Sequence, residues 1–358
     1  MITIRSLTSE DRAEWDALVG SSSSGGFMQS WAWSLFKEAE GYDVIRMGIF
    51  KYAQLVGGAL AYVVATPSEV NLMAIPDGPV LNWRAGDAEE MFFELIAALQ
   101  SVSLQHKVIT LRIEPRLVTC PVFLNNLLRS PIDLVPKETL EIPLGKEEGM
   151  FSAMKPKGRY NVRLADRHGV QTQTSTDSSD VDEFYDVFSQ TARNQNFICE
   201  PKSFFLNLAQ ALFPDVGRFA FARYRGHTLA AAYSIRFGNM VTYLYGGHIP
   251  LFPAVMPSYG LHWHIMREAA DENYQIYDLY GFVAAGTPEN PYDRFSRFKE
   301  RFGGRHIKRI GSRDIIFYDR MADIAVEMIQ SITRNIPSTS TCVEQKNRVV
   351  PGAKLLIS

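Results

Sequence analysis

Cysteine is scarce in this sequence, and long apolar runs are missing. The three cysteines, Cys120, Cys199 and Cys342, include no CxxC pair, so they form no disulfide framework and are typical of a chain kept in a reducing cytoplasm. The longest nearly apolar stretch, 56–65, is about half of a membrane span. Residues 1–15 carry five charges and no apolar core, so no secretory signal is expected. We therefore expect a cytoplasmic protein without an integral membrane segment.

Charge of one sign is not in excess either. The 37 lysines and arginines nearly balance the 39 aspartates and glutamates, for a net charge of −2, which argues against a dedicated DNA-binding protein. There is no GxxxxGK[ST] loop, no GxGxxG after a strand and no HExxH. His262 and His264 lie two residues apart, so on a helix they point to different faces and cannot share a metal. The sequence predicts no metal, no other cofactor and no DNA partner.

What the sequence does contain is one pattern of strands and helices that occurs twice. Runs rich in β-branched and aromatic residues, separated by glycine and polar turns, predict strands at 44–50, 55–65 and 70–75, and again at 218–224, 228–237 and 240–245. A helix follows each set, at 88–102 and 259–272, and then a further strand, at 108–113 and 275–279. At roughly 150 residues per domain, two domains are expected. We interpret the pattern as two similar α+β units in tandem, with two unrelated mixed domains as the alternative.

A three-stranded meander followed by a helix and a further strand resembles the GNAT acyltransferase fold. The fold prediction is therefore α+β, with tandem GNAT-like domains that each have a mixed, mostly antiparallel sheet and flanking helices. GNAT enzymes bind the acetyl-CoA pyrophosphate on a [RQ]xxGx[GA] loop at the start of the helix. The segments found there are IPDGPVLNWRAGDAEE and FPAVMPSYGLHWHIM. Neither contains that loop, so we expect an acyl donor other than CoA.

Two basic clusters lie in the second half of the chain. Residues 155–167 contain five cations against one carboxylate, and residues 294–309 contain seven against one. Aromatic residues are interleaved with them, namely Tyr160, Phe295, Phe298 and Phe302. This composition favours a phosphate-bearing substrate or single-stranded nucleic acid over a duplex. A solvated surface is the alternative interpretation for each cluster alone.

Six segments resemble, in one order, the Fem family of peptidoglycan bridge-forming aminoacyltransferases, over roughly residues 25–320. They are FMQSWAWSLFKEAEGY (27–42), GPV (78–80), ITLRIEP (109–115), KPKGRYNVRLADRHGV (155–170), YDLYGF (277–282) and FSRFKERFGG (295–304). No long pair of antiparallel helices is predicted, so the chain is most similar to compact, armless members of the FemABX type. The resemblance implies transfer of an amino acid from aminoacyl-tRNA to the stem-peptide amine of UDP-MurNAc-pentapeptide or lipid II. Aminoacyl-tRNA would be the co-substrate, and no cofactor is needed.

The resemblance also implies roles for individual residues. Lys37 matches a lysine that contacts the precursor's phosphates, and Tyr259 matches a substrate-side tyrosine. Phe298 and Lys299 match a Phe-Lys pair near the reacting acyl group, where the lysine would stabilise the developing oxyanion. The cations of the first basic cluster are expected to bind substrate, and they are Lys155, Lys157, Arg159 and Arg163. At Glu200 the family often has a phosphate-binding arginine, which leaves the pose of the precursor open.

The domain bounds implied are 1–145 with about 313–336 for the first domain and 146–312 for the second, followed by a weakly ordered tail, 337–358. Glu114 and Asp278, at two strand ends, are candidates for a general base, with a structural hydrogen bond as the alternative. Two other functions stay open. One is a GNAT-type N-acyltransferase acting on a polysaccharide or lipid precursor, and the other is a non-catalytic protein that binds tRNA or the precursor. Any contact with a membrane would be a transient one at its surface.

Overall fold

The computed structural model describes residues 1–66, 70–283 and 293–317. It divides the chain into two compact units. Within the described ranges, the first unit comprises 1–137 and 309–317, and the second comprises 138–308. None of the helices in these ranges combines the length and the apolar character that crossing a membrane would take.

The first unit is built on a mostly antiparallel sheet. Its elements up to residue 137 are β1 (Ile2–Ser6), α1 (Arg12–Ser21), α2 (Trp31–Ala39), β2 (Val44–Lys51), β3 (Gln54–Val64), β4 (Asn71–Pro76), α3 (Ala88–Ser103), β5 (Val108–Glu114) and β6 (Leu128–Arg129). Strands β2, β3 and β4 form an antiparallel meander, and β5 then pairs parallel to β4. Helix α3 makes this crossover because Met91, Phe92, Leu95 and Leu99 form one buried stripe at helical spacing.

The second unit repeats this arrangement. Its elements are β7 (Glu138–Pro143), α4 (Glu147–Ala153), α5 (Pro156–Arg167), β8 (Gln171–Ser175), α6 (Val181–Gln195), α7 (Lys202–Leu212), β9 (Gly217–Tyr224), β10 (His227–Phe237), β11 (Met240–His248), α8 (Pro257–Asp271), β12 (Ile276–Asp278), α9 (Asp293–Lys299) and β13 (Arg305–Lys308). Strands β9, β10 and β11 form the meander, and β12 pairs parallel to β11 after the α8 crossover. The strand order is β13-β7-β12-β11-β10-β9-β8.

The chain then returns to the first sheet through β14 (Arg313–Ile316), which pairs with β5 and β6. The first sheet therefore has the order β1-β2-β3-β4-β5-β14-β6. Arg112 on β5 and Asp314 on β14 form a buried two-point ion pair, with N–O distances of 2.8 and 2.9 Å. The helix expected after this strand and the tail at 337–358 lie outside the described residues.

The boundary between the units falls between Lys137 and Glu138, ahead of the expected position at 145. The reason is that β7 pairs with β12 and β13 and so belongs to the second sheet. The return to the first unit falls at Arg309, shortly before β14.

Candidate active site

Lys299 is the last residue of α9 and is buried, with 7% of its surface exposed. Its ammonium donates to the backbone carbonyl oxygens of Tyr280 and Gly281, the latter at 2.7 Å. Burial lowers the pKa of Lys299 to about 7, and the carboxylate of Asp278 opposes that shift. An ammonium has three N–H donors, so the two carbonyls leave a third for another acceptor. The lowered pKa brings the ionisation of this lysine close to neutral pH.

The backbone after Lys299 turns sharply, as its two glycines predict. Gly303 and Gly304 have φ of 83° and 97°, the left-handed region that other residues rarely adopt. A Cβ on Gly304 would lie 2.7 Å from the carbonyl oxygen of Glu141 on β7. The turn therefore places β13 directly against β7, and glycine is needed for that approach.

Aromatic rings surround the C-terminal end of α9. The ring of Phe298 lies 5.0 Å from that of Tyr259 and 5.3 Å from that of His262, between ring centroids. Tyr259 and His262 project from the first turns of α8. Tyr259 also stacks on Phe302, at 5.5 Å. The structure thus places Tyr259 against Phe298, the neighbour of Lys299 in the predicted Phe-Lys pair.

His262 is a neutral member of this group. Its Nδ1 lies 2.8 Å from the hydroxyl of Tyr277 on β12, and the side chain is buried. Burial, and secondarily the charge of Lys299, lower the pKa of His262 to about 3. Because both partners of the pair are uncharged at neutral pH, they form a low-polarity wall beside Lys299. No motif in the sequence indicated this pair.

The first basic cluster forms helix α5, and its cations divide into two sets. Lys155 forms an ion pair with Glu300, with an N–O distance of 2.7 Å, and Arg159 donates to the carbonyl oxygens of Ser152 and Met154. These two cations therefore tie α5 to neighbouring parts of the second unit, including the segment that follows Lys299.

The second set lies on the exposed face of α5. Lys157 and Arg163 are exposed, as is the ring of Tyr160, 51% of whose surface is accessible. The ammonium of Lys157 lies 5.2 Å from the Tyr160 ring, and the Arg167 guanidinium lies 5.9 Å from it. These four residues follow helical spacing and form one exposed stripe. Lys157 and Arg167 lie near the Tyr160 ring, whereas the Arg163 guanidinium lies 4.9 Å from the ring of Phe151.

Lys37 lies in the first unit, on α2, and only 1% of its surface is exposed. Its ammonium is surrounded by aromatic rings at centroid distances of 4.9 to 5.3 Å, and these belong to Trp33, Phe36, Tyr42 and Tyr62. Such rings attract a cation through their negative faces. The aromatic ring set explains how an ammonium is accommodated here, and contact between Lys37 and a phosphate stays a prediction.

The two candidate bases are both buried at strand ends. Glu114 accepts a 2.6 Å hydrogen bond from the backbone N–H of Leu134, and burial raises its pKa to about 8. Asp278 accepts hydrogen bonds from the hydroxyl of Thr139 and, at 2.8 Å, from the backbone N–H of Tyr280. Both carboxyl groups therefore accept a hydrogen bond from a loop N–H, the structural alternative to a general base. Among the described residues, no cluster of His, Cys, Asp and Glu could hold a metal ion.

Comparison with known sequences finds one family match in each of the two units. Residues 9–126 match the FemAB family, and residues 156–299 match an acetyltransferase (GNAT) domain. The chain is 23% identical over 136 residues to a UDP-N-acetylmuramoylpentapeptide-lysine N(6)-alanyltransferase from Weissella viridescens. That match spans 38% of this chain and 40% of the relative, which is less than half of either.

Comparison with solved structures extends the likeness to both units. The crystal structure of FemX superposes with a TM-score of 0.81 at 16% identity, covering 90% of this chain and 99% of FemX. A tandem GNAT protein from the clavulanic acid biosynthesis pathway gives a TM-score of 0.52 at 11% identity, covering 89% and 99% of the two chains. The protein is therefore an α+β protein with tandem GNAT-like folds, which confirms the predicted fold class. The predicted resemblance to the Fem family is confirmed as well.

Proposed function

We propose that this protein transfers an amino acid from aminoacyl-tRNA to the stem-peptide amine of a peptidoglycan precursor, UDP-MurNAc-pentapeptide or lipid II. The observation that carries the proposal is the sequence match to the Weissella viridescens alanyltransferase, whose name gives the lysine of UDP-N-acetylmuramoylpentapeptide as the acceptor. The FemAB match in the first unit supports the same class of reaction. Such a transfer would add the first residue of a bridge between peptide stems.

The chemistry requires little from the protein because the aminoacyl ester is already activated. The amine attacks the ester carbonyl, a C–N bond forms, and the C–O bond to the tRNA ribose breaks. The attacking amine must be neutral, so its ammonium form, with a pKa of about 10.4, first loses a proton to solvent. A second proton passes from the amine nitrogen to the leaving ribose oxygen. Negative charge develops on the carbonyl oxygen, and the third N–H of Lys299 would donate to it. A donor fixed in advance stabilises this charge without reorganisation.

The absence of a CoA-type loop in the sequence supports a donor other than acetyl-CoA. Residues 249–257, which lead into α8, contain no glycine and three prolines. Pro257 is the first residue of the helix and has no N–H to offer a phosphate. We therefore propose that the second unit needs no cofactor and accepts an acyl group carried by tRNA.

The stripe on α5 supports tRNA as the carrier. Lys157, Arg163 and Arg167 offer charge to phosphates, and the accessible Tyr160 ring can stack on an unpaired base. The unpaired acceptor end of a tRNA combines these two features. A transfer enzyme of this kind works where its tRNA and its soluble or lipid-linked precursor meet, so we propose a cytoplasmic site of action.

The proposal is tested by incubating the purified protein with a set of labelled aminoacyl-tRNAs and with each precursor separately. We expect label to move to the stem-peptide lysine of at least one precursor, with loss of label from one tRNA. A parallel incubation replaces the aminoacyl-tRNAs with acetyl-CoA as the acyl donor. Transfer from acetyl-CoA alone would favour the GNAT-type N-acyltransferase. Tight binding of tRNA or precursor without transfer from any donor would favour a non-catalytic binding protein.

A further inference from the structure

We propose that Asp278 is a positioning residue that fixes the Tyr280–Gly281 backbone so that its two carbonyl oxygens orient the ammonium of Lys299. This inference rests on the proposed function, because it assigns Asp278 a role in the transfer step. In this role Asp278 is not a general base. It acts on the reaction only through Lys299 and touches neither substrate.

The first support is the set of hydrogen bonds that Asp278 makes. Its side chain is fully buried, and one carboxylate oxygen accepts both the Thr139 hydroxyl and the Tyr280 backbone N–H. A carboxylate that accepts the N–H two residues later closes a tight turn. Because Thr139 lies on β7, the same oxygen also ties this turn to the sheet. The oxygen is therefore committed to holding backbone and is poorly placed to take a proton from a substrate.

The second support is the backbone conformation that this turn imposes. Tyr280 and Gly281 have φ of 42° and 67°, and a tyrosine in the left-handed region is held there only by its surroundings. With two successive residues in that region, both carbonyls point to the same donor, the Lys299 ammonium. Without the Asp278 bond, the tyrosine would favour an extended conformation and the pair of acceptors would be lost.

The third support is that the neighbouring groups of the loop are already engaged elsewhere. The backbone N–H of Leu279 donates to Leu140, and that of Phe282 donates to Glu138, at 3.0 and 2.9 Å. The N–H of Val283 donates to the hydroxyl of Ser296 on α9, at 2.9 Å. Helix α9 is thus attached to this loop at two points, Ser296 and Lys299. The orientation of the loop consequently sets the position of the ammonium.

The kinetic test compares Asp278→Ala, Lys299→Met and the double variant. We expect Asp278→Ala to lower kcat by up to about 10²-fold, the cost of misplacing a reacting group, with the KM for each substrate unchanged. We expect the double variant to be no slower than Lys299→Met, because Asp278 acts only through that lysine. If the two losses multiply instead, the residues act independently and the proposal is wrong.

The companion test does not depend on activity and so separates this inference from the proposed function. In protein carrying 13C-labelled lysine, the Lys299 signal is assigned as the one missing from Lys299→Met. Asp278→Asn keeps an acceptor oxygen but removes the charge that favours the ammonium, so the titration midpoint of Lys299 should fall below the wild-type value. The exposed Asp271→Asn, at the end of α8, is the matched control and should leave it unchanged.

If Asp278→Ala does not fold, Thr139→Val removes one donor and leaves the Tyr280 bond, and it should give a smaller loss of kcat in the same direction. A folded Asp278→Ala protein with the wild-type kcat and the wild-type Lys299 midpoint would overturn the proposal. If the wild-type protein transfers no amino acid at all while Asp278→Asn still lowers the midpoint, the proposed function fails and the coupling of Asp278 to Lys299 stands.

Discussion

The ammonium of Lys299 donates to the carbonyl oxygen of Gly281 at 2.7 Å, deep in the second unit. The two residues lie 18 positions apart in the sequence, and their hydrogen bond joins the end of α9 to the turn after β12. A buried lysine held by neutral acceptors has a lowered pKa because its charge loses the solvation of water. The lowered pKa of Lys299 determines the pH dependence that we predict for the site.

The first prediction concerns pH. The groups facing Lys299 are Asp278, whose charge favours the ammonium, and the neutral side chains of His262 and Tyr243. If the ammonium is the active form, activity from this residue falls as pH rises through about 7. Lys299→Arg stays charged throughout. The ratio of wild-type rate to Lys299→Arg rate should therefore fall about tenfold per pH unit above that value.

The acceptor amine ionises equally in both reactions, so its effect on the two rates cancels in the ratio. Rates measured from pH 6 to about 9 with both substrates saturating are sufficient. A ratio that stays constant over this range would show that Lys299 does not act as a cation.

A second prediction concerns salt. Changing Lys157, Arg163 and Arg167 to Gln together removes three cations of the α5 stripe, so tRNA binding should weaken and its salt dependence should flatten. For every phosphate that is no longer neutralised by a cation, the slope of log K against log salt falls by about 0.7 to 0.9. The control removes the same charge from exposed positions outside α5, namely Arg12, Arg84 and Lys146. Equal slopes in the two triple variants would assign the stripe to a solvated surface.

The third prediction concerns Lys37. Methionine has a similar length and suits an aromatic environment, so Lys37→Met removes the charge while filling the space among the four rings. We expect the KM for the precursor to rise much more than the KM for aminoacyl-tRNA. Thermal unfolding of the variant provides the control for folding. Equal changes in the two KM values, or none, would contradict phosphate binding by Lys37.

A fourth prediction concerns packing beside the site. A Cβ at Gly158 on α5 would lie 2.1 Å from the carbonyl oxygen of Arg301, so Gly158→Ala must displace backbone. We expect it to lower the free energy of unfolding by about 1 to 3 kcal/mol. Gly149 on α4 has open space at the same position, and Gly149→Ala should raise that free energy by up to about 1 kcal/mol. Denaturant unfolding of the two variants gives the comparison, and matching values would contradict the described packing.

Much of the fold can be predicted from the sequence because its pattern is local. The meanders, α3 and α8 have strong periodicity, and their predicted ends lie within a few residues of those observed. The strand after each helix is predicted as well, although its parallel pairing is seen only in the structure. Helix α5 lies in a segment that the sequence singles out by its charge and by the Fem resemblance rather than by apolar periodicity, since its buried face is short. Strand β1 is not predicted because only Ile2 and Ile4 in it are apolar and none of its residues is fully buried.

The geometry of the site is harder to predict from the sequence, because its main contacts join side chains to backbone groups. Nothing in the letters YDLYGF shows that two carbonyls converge on Lys299, although a glycine after a strand end does indicate a turn. Trp31 and Trp33 illustrate a similar limit. Their spacing on α2 predicts one core and one partly exposed ring. Both are buried, because the Arg46 guanidinium lies over the Trp31 ring at 4.9 Å while Trp33 packs against Phe27.

The most direct test of the account is the single-turnover rate of aminoacyl transfer by Lys299→Met with both substrates saturating. Removing one donor to a developing oxyanion lowers the rate by about 10² to 10³, and we expect this loss with precursor affinity within a few-fold of wild type. Lys299→Arg should recover only part of the rate, since its planar fork does not replace a point charge. A folded Lys299→Met protein that transfers at the wild-type rate would contradict the placement of the active site.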